Sequence, residues 1–69
     1  MESEIENWFS YHRPSPEDQA KYETIRASAK AFAKTIAECC PASADRTAAM
    51  RKLRETVMTA NASIACGGK

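Results

Sequence analysis

Tyr11 and Arg26 are the residues whose types and spacing point most directly to chemistry. An aromatic ring offers a stacking surface, and a guanidinium offers a fork of donors to an anionic oxygen. Together they could form a clamp for something planar and negatively charged. Lys30 lies one helical turn beyond Arg26. Two cations at i,i+4 gain nothing from each other, which makes sense if an anion sits over the pair, although Glu23 could neutralise Arg26 locally. Arg46 and Thr47 fall in the first turn of a second helical pattern, where backbone N–H groups suit a phosphate. Arg51, Lys52 and Arg54 read as a solvated face, with Arg51 and Glu55 at helical pair spacing.

Catalysis has thinner support. His12 is the one histidine in the chain. Nucleophilic catalysis needs a nucleophile, a base and an orienting carboxylate in mutual reach. Ser10, Ser15 and the cysteines supply nucleophiles at no recognisable triad spacing, so His12 is read as a packing ring or a ligand contact. Cys39 and Cys40 are adjacent, unlike the separated thiols of a zinc site, and read as small hydrophobes at a helix end. The glycines stand only at 67 and 68, so no phosphate-cradling loop exists. No cofactor and no metal are expected, and the chain is read as a binder, not an enzyme.

The elements that must position these residues are legible. Ser15 is suited to N-cap, Pro16 to the first helical position, and Glu17 and Asp18 to the positive end of the dipole. The first long helix is expected from about residue 16 to about residue 39. Its apolar stripe is Tyr22, Ile25, Ala29, Phe32, Ile36 and Cys39 or Cys40. Pro41 stops it, because the residue before proline avoids helical angles. Ser43 then caps a second helix, from about 44 to 65, striped by Met50, Leu53, Val57, Ala60 and Ile64. Gly67 and Gly68 terminate it. Residues 1–14 form an arm, with a short frayed helix ending in Trp8 and Phe9 and an extended linker from Tyr11 to Pro14. The expected fold is all-α: an antiparallel helical hairpin with a short N-terminal helical arm, one domain over residues 1–69.

Size and charge bound the rest. With 69 residues, a two-helix seam buries little, and at roughly 25 cal/mol per Å² it is a weak counterweight to ordering entropy. Many alanines, among them Ala27, Ala31 and Ala48, lie around or beyond the stripes. They serve close helix approach or simply helix propensity. The expected exposure of Trp8, Phe9 and Met58 points to a homo-oligomer. A net charge of +1 gives no broad basic surface, so duplex nucleic acid is not an expected partner. No apolar run spans a membrane and no signal-peptide pattern is visible, so no membrane is expected. Three cysteines, two adjacent, make a poor disulfide framework, and the expected setting is cytosolic with reduced thiols.

The arrangement Tyr11-His12-x-Pro14-x-Pro16, Tyr22-x-x-Ile25-Arg26, Cys40-Pro41-x-Ser43 and Leu53-x-x-x-Val57-Met58-x-Ala60-Asn61-Ala62-x-Ile64-Ala65 resembles a small phage family. Its members share a helical hairpin domain with the cyclic-nucleotide sponges that phages use against CBASS and Thoeris immunity. The resemblance covers nearly the whole chain after Trp8. It implies a compact helical hexamer in the host bacterial cytosol. The hexamer would sequester cyclic oligonucleotide signals, such as cyclic GMP–AMP, without cleaving them. It also implies roles: Tyr11 stacks on a base, and Arg26, where a lysine is common, holds a phosphate. Ser28 would be a supporting polar contact. Arg46 and Thr47 would serve a separate site for cyclic trinucleotides. A cyclic dinucleotide carries two bases and two phosphates in approximate two-fold relation, which a two-fold subunit interface would match. The competing classes are a phosphodiesterase, for which metal ligands or paired histidines are missing, and a small helical oligomeric interaction protein without nucleotide binding.

Overall fold

The computed structural model describes residues 1–69 and holds three helices and no strand: α1 (Glu2–Trp8), α2 (Pro16–Cys39) and α3 (Ala44–Ala65). Each boundary of the hairpin has a local cause. Ser15 Oγ accepts from the Asp18 N–H at 3.1 Å, and the Ser15 N–H donates to Asp18 Oδ2 at 3.5 Å, a reciprocal cap at the start of α2. Cys40, held extended at φ −101° and ψ 129° by the proline that follows, ends α2. Ser43 Oγ accepts from the Arg46 N–H at 3.1 Å and starts α3. At the far end the Gly68 N–H donates to the Ser63 carbonyl at 2.8 Å and the Gly67 N–H to that of Ile64 at 3.2 Å. This paired closure needs left-handed backbone, and both glycines supply it, at φ +66° and +78°.

The short connection through Pro41 returns α3 antiparallel to α2, and the two helices pack along their length. The seam runs through Ile25, Ala29, Ala33 and Ile36 of α2 and Met50, Leu53, Val57, Ala60 and Ile64 of α3. Ile36, at 9% exposure, is the one buried residue; the others are half-buried. The molecule measures 44 × 28 × 15 Å, and its smallest dimension is little more than one helix diameter, about 10–12 Å. A single layer of two helices has no second layer to cover its flat faces. One expected seam position moves: Phe32 is 57% exposed, because Ala29, Ala33 and Ile36 set the line of contact and Phe32 falls on its flank. Cys39 is likewise exposed, while Cys40 is half-buried.

The arm is anchored at the other end of the hairpin. Asn7 Nδ2 donates to the Cys66 carbonyl at 3.2 Å, and Trp8 Nε1 donates to the Lys69 carbonyl at 3.2 Å. These bonds tie α1 to the C-terminal end of α3, beside the start of α2. Trp8, Phe9 and Met58 remain 47%, 82% and 65% exposed.

Candidate functional site

Three places hold the candidate residues, and a single chain does not bring them all together. The first is the linker after α1. Tyr11 is 84% exposed, presenting its ring to solvent. Its neighbours are fixed: Ser10 Oγ donates to the Glu6 carbonyl, and His12 Nε2 donates to the Asn7 carbonyl at 2.6 Å. That bond puts a proton on Nε2 and turns the imidazole toward α1. His12 thus acts as a strap behind Tyr11.

The second place is a groove of about 480 Å³ along one flank of the seam. Ala29, Ala33, Leu53 and Val57 make its floor, and Met58 one wall. Arg26 and Lys30 enter from α2, and Arg54 enters from α3. No carboxylate lines it. Arg26 is paired with Glu23 at 3.5 Å, but both side chains are largely exposed, so the pair is weak and readily exchanged. The arrangement can hold a ligand with an apolar or aromatic body and more than one negative charge. Ser28 stands elsewhere: it shares the opposite flank of the seam with Ile25, Phe32 and Thr56. Two positions beyond Arg26 on a helix is about 200° of rotation, which carries Ser28 away from the Arg26 groove.

The third place is the turn end of the hairpin. Arg46 is half-buried, and its Nη1 donates to the Cys40 carbonyl at 3.3 Å. Its own N–H is already taken by Ser43 Oγ. Thr47 Oγ1 donates to the Ser43 carbonyl at 3.2 Å, and Thr47 lines a separate shallow groove with Arg51, Lys52 and Glu55. Arg46 is not part of that groove. The first turn of α3 is therefore partly satisfied within the chain.

Arg54 is the residue that sequence reasoning assigned to the solvent face. The signal that could have found it was local: its helical neighbours at three and four positions are Met50, Arg51, Val57 and Met58, with no acid among them. No group of His, Cys, Asp and Glu is gathered closely enough to hold a metal ion. No helix is long and apolar enough to cross a membrane.

Tyr11 is not among the residues lining the Arg26 groove. Arg26 lies ten residues into α2, about 15 Å along the axis from Pro16 at 1.5 Å per residue. Within one chain, then, the Tyr11 ring and the Arg26 guanidinium do not line a common groove.

Among known proteins, a family model described as Acb2/Tad1, hairpin domain, matches residues 1–65. No curated protein and no solved structure gives a match.

Proposed function

The chain belongs to the Acb2/Tad1 hairpin-domain family, and from that premise we propose that it is a sponge for cyclic oligonucleotide immune signals. It binds cyclic dinucleotides such as cyclic GMP–AMP and holds them unaltered, which starves a CBASS-like defence of its messenger. The observation that carries this reading is the groove in which Arg26 and Lys30 stand over an apolar floor with no carboxylate among its walls.

The mechanism needs two copies. One chain supplies the Tyr11 ring, exposed and backed by His12; its neighbour supplies Arg26 and Lys30. Around a two-fold axis the arrangement repeats, so both bases are stacked and both phosphates are met by cations. Each stacked base contributes roughly 1–3 kcal/mol, and charge-assisted phosphate bonds add to it. Enclosing the ligand between subunits slows its release, which stoichiometric capture requires. The thin hairpin, with Phe9, Phe32 and Met58 uncovered, supports assembly, and a hexamer is the state the family resemblance implies.

Arg46 and Thr47 belong to a second, trinucleotide site at the turn end of the hairpin. Its geometry requires Arg46 to release the Cys40 carbonyl or to bind with its remaining donors. Titration calorimetry with cyclic GMP–AMP and with a cyclic trinucleotide tests the reading. Wild-type protein binds cyclic GMP–AMP, and Arg46→Ala loses affinity for the trinucleotide alone. Equal loss for both ligands would show one shared site. No heat with either ligand would leave a helical interaction protein as the better description.

A further inference from the structure

We infer that Arg54 is a phosphate-binding residue, completing from α3 the cationic groove that Arg26 and Lys30 line from α2. The inference rests on reading the groove as a cyclic-nucleotide site, and it names a contact that reading does not require.

The fold separates three cations that the sequence runs together. Arg51 and Lys52 line a groove that also contains Glu55, so their charge has an acid at hand. Arg54 lines a different groove, the one with Arg26 and Lys30, and stands about 60° around α3 from Arg51 and about 200° from Lys52. Nothing neutralises it there. The ion pairs in the chain are Met1 with Glu4 and Arg26 with Glu23. Lys30 has Arg26, Ala27, Ala33 and Lys34 at its helical neighbour positions, again without an acid. Two helices thus aim like charges across an apolar floor. Mutual repulsion at an exposed site is modest because water and salt screen it, and an anion placed between the cations reverses its sign.

The ligand chemistry follows from the walls. A volume of about 480 Å³ falls within the range of small-molecule sites. Val57 and Met58 offer apolar contact to a sugar or base edge. The planar Arg54 fork can take both non-bridging oxygens of one phosphodiester, which a point charge such as Lys30 cannot do. We assign Arg54 to a phosphodiester of the cyclic dinucleotide.

The test uses the full-length assembly and cyclic GMP–AMP as the probe. R54Q removes the charge, and R54M removes it while keeping a long apolar stem against the groove. Light scattering and thermal melting check that each variant still assembles. Both variants should bind about ten- to a hundredfold more weakly than wild type, with a flatter dependence of affinity on salt. R54K should fall between. Wild-type affinity and salt dependence in R54Q and R54M would overturn the inference and leave the Tyr11–Arg26 site standing. A wild-type protein that binds no cyclic GMP–AMP would overturn both.

Discussion

Tyr11→Ala weakens cyclic GMP–AMP binding by at least about thirtyfold while leaving the assembly intact. Each stacked base is worth roughly 1–3 kcal/mol. A two-fold site loses both rings at once, so the smallest expected loss is about 2 kcal/mol, at about 1.4 kcal/mol per tenfold. The ring is 84% exposed, so its removal uncovers no core. Arg26→Ala has a comparable effect through the phosphates, since hydrogen bonds to charged groups contribute about 1.5–3 kcal/mol each. Arg26→Lys keeps the charge, loses the fork, and should recover much of the binding. Calorimetry beside light scattering decides the matter. Unchanged affinity in both alanine variants would place the pocket elsewhere on the hairpin.

Ile36→Asp abolishes the folded hairpin. Ile36 is the one buried side chain, and it stands on the seam between α2 and α3. A carboxylate there has no partner and must either stay charged out of water or take up a proton. The milder Ile36→Ala costs about 2–5 kcal/mol. A chain of this length has total stability on the order of 3–10 kcal/mol, so the first variant unfolds and the second melts early. Phe32→Ala is the comparison. Phe32 is larger but 57% exposed, and within one chain its loss removes little packing. Circular dichroism melts of the three variants rank them. A Phe32→Ala melt below that of Ile36→Ala would mean that contacts between copies, not the seam, hold the hairpin together.

The helix ends were legible because capping is local chemistry. Ser15 with Pro16, Ser43 after Pro41, and Gly67 with Gly68 each act within a few residues of their own position. The stripes gave the seam of α3, but on α2 they favoured the bulky Phe32 over Ala33. Periodicity weighs hydrophobicity, whereas two helices in close approach select the small side chain. The flanks were not legible. Which side of a seam a polar residue takes depends on the rotation of both helices. That rotation separates Ser28 from Arg26 and brings Arg54 to Arg26 and Lys30. Nor does any motif announce the arm's attachment through Asn7 and Trp8, which depends on two carbonyls at the end of α3. The ring and the cation at Tyr11 and Arg26 were readable as residue types. That they do not line one groove within a single chain appears only in three dimensions.

The central claim is capture without chemistry. His12 is the one histidine; it donates from Nε2 to the Asn7 carbonyl at 2.6 Å, which leaves Nδ1 as its proton-accepting nitrogen and makes it the residue to test. The most direct measurement incubates the protein with excess cyclic GMP–AMP, removes free ligand, digests the protein with protease and chromatographs what is released. The account predicts intact cyclic GMP–AMP in a fixed ratio to subunits, unchanged by longer incubation. Linear products that accumulate with time and disappear in His12→Ala would contradict it and make His12 a catalytic base.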